Sequence, residues 1–226
     1  MSRTAIRIYW TLTALTLAGA TLTAALYAPV DPEMGPVQKL IYLHLPAAVV
    51  TFLAAFAVFV GSVGFMWTRE PAWDRFAAAA ARTTLIFSCV VLITGMVWAK
   101  FFWGYWWTWS PRLTFTLVLA ILYAGYFVVR WMIGPGQRRA FVSAVYGAIA
   151  FLDVPLVYLS VGLLPDVHPT SVPLTAEMRE TLAIWFVLVV LVAIGMSAAP
   201  LLREAWRRAG TLETSGRTER GTQRPA

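Results

Sequence analysis

His44 and His168 are the only two imidazoles in this chain, and between them the short run from Trp98 to Trp109 holds five of its eleven tryptophans, Trp98, Trp103, Trp106, Trp107 and Trp109. Two neutral imidazoles on one face can fill both axial positions of a haem iron, and the porphyrin then needs a flat apolar bed. The indoles supply such a bed, with cationic groups in Lys100 and Arg112 at its ends. The fork of Arg112 suits a carboxylate such as a haem propionate. Each residue also has a plainer use. His44 precedes Pro46, where an imidazole can bond loop backbone, and Arg112 can snorkel to lipid phosphate. Zinc is the rival metal, and it takes three protein ligands in catalytic sites. Asp31, Glu33, Asp166 or Glu177 would have to complete that set, and no His-x-x-x-His or Glu-x-x-His spacing exists. Haem ranks above zinc.

The elements that must position these residues are membrane helices. Hydrophobic residues make up 59% of the 226 and charged ones 13%, against about 45–50% and about 25% in soluble domains. The net charge of +7 does not point to nucleic acid, because the basic residues are scattered between apolar segments. The single cysteine, Cys89, lies in an apolar run, which excludes a disulfide within the chain. Crossing a bilayer takes about 20 apolar residues. Six stretches qualify, near 6–28, 46–67, 83–102, 113–133, 141–164 and 182–202. The expected fold is therefore all-α and polytopic, with one membrane domain over 1–209 and a polar, disordered cytoplasmic tail over 210–226. The first stretch is too long for a signal-peptide core and reads as a retained helix.

Fourteen of the eighteen Lys and Arg fall on the side that holds both termini. The positive-inside rule places that side in the cytoplasm. The three outward connections, near 29–45, 103–112 and 165–181, then share one face, so both histidines and the tryptophan run meet in one compartment. Indoles enrich at membrane interfaces generally, which accounts for Trp10, Trp67, Trp131, Trp185 and Trp206 but poorly for the central run. Trp103, Trp106 and Trp107 have the spacing of one face of a short interfacial helix. Ser110 and Pro111 suit the cap and first position of the next helix. Asp153, inside the fifth apolar stretch, must face a cavity, a partner or a proton path, or pack the bundle as a neutral or backbone-bonded acid. Pro155 should kink that helix.

Four blocks carry a family resemblance: Tyr42-Leu43-His44-Leu45-Pro46-Ala47-Ala48, Trp103-Gly104-Tyr105-Trp106-Trp107-Thr108-Trp109-Ser110-Pro111-Arg112-Leu113-Thr114, Asp153 to Val161, and His168-Pro169. With them the chain resembles the tryptophan-rich haem-handling membrane proteins of cytochrome c maturation, and among these the short six-helix CcmC family. The likeness covers about 36 to 200.

That resemblance implies a non-enzymatic protein of the bacterial inner membrane that holds haem b at the outer face. It implies His44 and His168 as axial iron ligands, with Trp103, Trp106, Trp107 and Trp109 as the haem bed. Arg112 would be the propionate contact. It further implies delivery to the haem chaperone CcmE within an ABC-type complex with CcmA, CcmB and CcmD. Two positions depart from the family pattern: Ser110 stands where an aspartate is usual, and Gly162-Leu163-Leu164 replaces bulky aromatics. Two other classes stay open, a small-molecule permease using Asp153 and a scaffold that docks a partner through the tryptophan loop.

Overall fold

The computed structural model describes residues 3–164, 167–168 and 172–222. Pro165, Asp166 and Pro169 of the third outward connection lie outside them, as do residues 223–226 of the tail. The helices are α1 (Arg3–Leu22), α2 (Ile41–Thr68), α3 (Pro71–Trp103), α4 (Pro111–Met132), α5 (Gln137–Ala150), α6 (Asp153–Leu163) and α7 (Ala176–Thr222). A π-helical turn, Thr23–Tyr27, extends α1, and a 3-10 turn, Pro36–Leu40, leads into α2. The fold is all-α: extended pairing among the described residues is confined to one isolated bridge, Asp31 to Gly35. Six helical stretches are long and apolar enough to cross a membrane, in the expected order.

Local chemistry moves several boundaries. The connection expected over 68–82 shrinks to Arg69 and Glu70, because Pro71 starts α3 and the run Ala77 to Ala81 carries strong helix propensity. Arg69 ends α2 in the left-handed region, at φ 59°. Helix α2 begins at Ile41, so His44 sits in its first turn rather than in the loop before it, and Pro46 is inside the helix. Pro46 has no N–H to offer the Tyr42 carbonyl, so α2 forgoes one helical bond near its start. The fifth crossing is two helices. Phe151 and Leu152 form a turn between α5 and α6, three residues ahead of Pro155, which has no N–H to offer the carbonyl of Phe151. Helix α7 runs past its apolar part to Thr222, through residues for which the sequence suggests no regular structure. No proline interrupts that stretch between Pro200 and Pro225.

Helices in lipid gain little by hiding apolar surface, so close backbone approach between small residues holds them together. Helices α2 and α3 meet in that way: a Cβ added at Gly61 would lie 3.0 Å from Cβ of Ala77. Ala55, Val58, Ala77, Ala80 and Ala81 bury there with Leu119, Tyr123 and Tyr126 of α4 and Ala150 of α5. Helix α7 closes on the other side through Val189 and Ala193 against Ala47, Val50 and Phe87. Helix α1 lies outermost, tied to α7 where Trp185 Nε1 donates to the Ala20 carbonyl at 2.9 Å. The packing of α2, α3 and α4 brings the start of α2, the end of α3 and the start of α4 to one end of the bundle.

Candidate functional site

At that end the two histidines meet, although 124 positions separate them in the chain. Their ring centres are 6.3 Å apart with planes inclined by 28°. An ion held by two imidazoles at metal–nitrogen bonds of about 2 Å requires a separation of roughly this size. Both rings line a cleft of about 1260 Å³, counting its open mouth, with Trp98, Trp103, Trp107 and Arg112. The wall continues away from the histidines along Phe52, Leu119, Val157 and Tyr158, and is almost wholly apolar.

The two imidazoles are held in opposite hydrogen-bonding states. Nδ1 of His44 lies 2.8 Å from Oγ1 of Thr94. That hydroxyl has one proton, which it gives to the Val90 carbonyl at 2.7 Å. It therefore accepts from His44, fixing the hydrogen on Nδ1 and leaving the lone pair on Nε2. Nδ1 of His168 instead lies 3.0 Å from Nη1 of Arg112. A guanidinium only donates, so this Nδ1 is the acceptor and its lone pair is engaged.

Neither Thr94 nor Gly95 was singled out from sequence, and both shape the His44 side. A Cβ at Gly95 would sit 3.3 Å from Cε1 of His44, closer than side chains usually approach. The available signal was their spacing: Thr94 and Gly95 stand four and three residues before Trp98, on the helix face it shares.

The tryptophan run divides. Trp103 ends α3, and Gly104 follows at φ 83°, a left-handed position that favours glycine and turns the chain out of the helix. Residues 104–110 are not helical, so the expected interfacial helix does not form. Trp103 and Trp107 line the cleft, joined by Trp98 from the last turns of α3. Trp106 and Trp109 do not line it and are 56% and 73% exposed. Trp109 buttresses Trp107 edge-on, with ring centres 5.6 Å apart. The indole nitrogens of Trp98 and Trp107 are buried donors without a hydrogen-bond partner among the described residues.

Ser110 takes the cap position of α4 and Pro111 the first helical position, but the serine hydroxyl makes no cap bond. It is buried and unpartnered among the described residues, and α4 starts on the backbone bond from Thr114 N to Ser110 O at 2.9 Å. Lys100 donates to the Gly104 carbonyl at 2.9 Å, closing the end of α3. Asp153 does not line the cleft, although Val157, one turn further along α6, does. Among the described residues no three His, Cys, Asp or Glu side chains gather as a metal cluster.

Known proteins match this chain across the same region. A family profile described as Heme exporter protein C matches residues 1–218. A ccmC-like mitochondrial cytochrome c biosynthesis protein of Marchantia polymorpha is 32% identical over 162 residues, 72% of this chain and 67% of that one. Heme exporter protein C of Escherichia coli K12 is 34% identical over 148 residues, covering 64% of this chain and 59% of its own length. The protein of that name from Rhodobacter capsulatus is 36% identical over 114 residues, half of this chain and 47% of the relative. The match thus spans about three fifths of the Escherichia coli relative and less of the Rhodobacter one. With a profile running nearly end to end over a multi-pass membrane protein, the chain belongs to the Heme exporter protein C family, CcmC.

Proposed function

We propose that this protein binds haem b at the outer face of the bacterial cytoplasmic membrane and hands it to the chaperone CcmE for cytochrome c maturation, without bond-making chemistry of its own. Its relatives carry the haem-exporter name, and the family implies CcmA, CcmB and CcmD as companions in a haem delivery complex. The observation that carries the reading is the convergence of His44 and His168 on one apolar cleft, walled by Trp98, Trp103 and Trp107.

The donor set fits haem at three points. Nε2 of His44 offers iron a lone pair, fixed there by Thr94. The indole faces offer a flat apolar surface, and the unpartnered Nε1 groups of Trp98 and Trp107, with Arg112, offer donors for carboxylates. His168 fits once Arg112 leaves it. Neither ring nitrogen can ligate while the guanidinium occupies Nδ1, because the other nitrogen then carries the hydrogen. A propionate is a stronger acceptor for a guanidinium than a neutral imidazole. With haem bound, Arg112 would turn to a propionate and His168 would be the residue to hold iron beside His44. The cleft's open mouth suits cargo that must leave.

The test is the absorption spectrum of detergent-purified protein from haem-replete cells, beside a His44→Ala, His168→Ala double variant. A Soret band in the wild type that fades in the variant is expected. An unchanged band would remove the ligand assignment, and no band in either protein, even after haem is added, would remove the haem reading.

A further inference from the structure

The opposite end of the bundle holds a second, chemically different cleft. It occupies about 1020 Å³, counting its open mouth, among α2, α3, α4, α5 and α7. Four arginines line it, Arg75, Arg82, Arg130 and Arg139, with one carboxylate among the described residues, Asp74. That carboxylate is already satisfied: Arg130 grips it in a two-pronged bond, Nη1 to Oδ1 at 2.5 Å and Nη2 to Oδ2 at 3.0 Å. Arg82 and Arg139 add positive charge to the lining beyond that pair.

Two further observations point to an anionic occupant. Nε of Arg139 is buried and has no hydrogen-bond partner among the described residues. A buried donor left without an acceptor is unfavourable, and an anionic oxygen would supply one. Gln137, Arg139 and Ala140 also bring the start of α5 to the cleft, and its cap, Gly136, has no side chain to bond the first N–H groups. Helix starts of this kind favour phosphate.

The depth of the cleft selects the source of the phosphate. Trp67 near the end of α2 and Trp131 near the end of α4 are each 86% exposed, beside the residues that form the cleft. Exposed tryptophans at helix ends mark the level of lipid headgroups. Basic pockets between membrane helices at that level take the headgroups of anionic lipids. We infer that this cleft binds the phosphodiester of an anionic phospholipid, with Arg139 as its main contact and Arg82 adding charge. The inference is independent of the haem reading.

Native mass spectrometry of the full-length protein, purified in mild detergent and offered equal amounts of cardiolipin, phosphatidylglycerol and phosphatidylcholine, tests it. Wild type should retain cardiolipin or phosphatidylglycerol over phosphatidylcholine. Arg139→Gln and Arg82→Gln should each lower that retention about tenfold or more, while Arg138→Gln, outside the cleft, should not. Equal retention in the Arg139 and Arg138 variants would overturn the proposal. So would stabilisation by inorganic phosphate alone to the level reached with lipid, since the ligand would then be the free anion. Undiminished lipid with loss of co-purifying subunits in Arg139→Gln would overturn it in favour of a protein contact. Soret absorbance recorded on the same samples reports separately on the histidine cleft.

Discussion

At the scale of the residue, the informative contrast is between two histidines of the same type and different readiness. On the haem reading Thr94 would act through His44 rather than on any ligand: its hydroxyl donates a hydrogen bond to the Val90 carbonyl and accepts one from Nδ1–H. Such outer contacts typically change metal affinity by about 10–100-fold. Thr94→Val keeps shape and removes the acceptor, so haem titration should show affinity lower by about that factor. Thr94→Ser should restore it, which a merely space-filling threonine would not require. Unchanged affinity in the valine variant would remove Thr94 from the site. This partnership was not legible in the sequence. A threonine inside an apolar helix commonly bonds its own backbone, and Thr94 does so as well. Its second bond exists only because α2 and α3 pack closely enough at Gly95.

At the scale of the element, Gly104 decides where the tryptophans go. Its φ of 83° ends α3 just after Trp103 and sends Trp107 back to the cleft. A left-handed conformation costs a residue with a Cβ about 1–2 kcal/mol. Gly104→Val should lower the thermal midpoint by a few degrees and weaken haem retention, because the loop would leave the helix in another direction. A midpoint and haem content equal to wild type would show that the turn is not fixed there. The six crossings were readable because hydrocarbon thickness demands long apolar runs, and those survive any detail of packing. The spacing of Trp103, Trp106 and Trp107 suits a short interfacial helix, but the outward loop that holds them is not helical over 104–110. Periodicity says which residues share a face if a helix exists, and the glycine inside the run overrides it. Pro155 predicts one kinked helix for the fifth crossing, whereas the chain divides at Phe151 and Leu152.

At the scale of the whole molecule, the two ends of the bundle carry opposite chemistries. One end gathers indoles, imidazoles and an apolar cleft, and the other gathers arginines. That polarity is the structural counterpart of the charge bias on which the proposed orientation rests, with both termini cytoplasmic. A reporter fused after Ala226 that is active only in the cytoplasm should be active, and an inactive one would invert the proposed arrangement. The charge bias was legible in sequence as a count. The basic cleft was not, because Arg75 and Arg139 come from helices far apart in the chain and become neighbours only when the bundle closes.

The bond from Arg112 to His168 gives the proposed cargo site a property that neither residue has alone. On the haem reading, the guanidinium is shared between host and guest: it rests on the imidazole when the cleft is empty and on a propionate when it is filled. Capture and release are then one exchange run in two directions. On that reading His44, whose Nδ1 bond leaves the Nε2 lone pair available, would engage iron first, and His168 would follow once Arg112 had changed partner. Departure would reverse the order, with the arginine returning to the nitrogen it gave up. The same side chain that helps the guest settle would then help it leave.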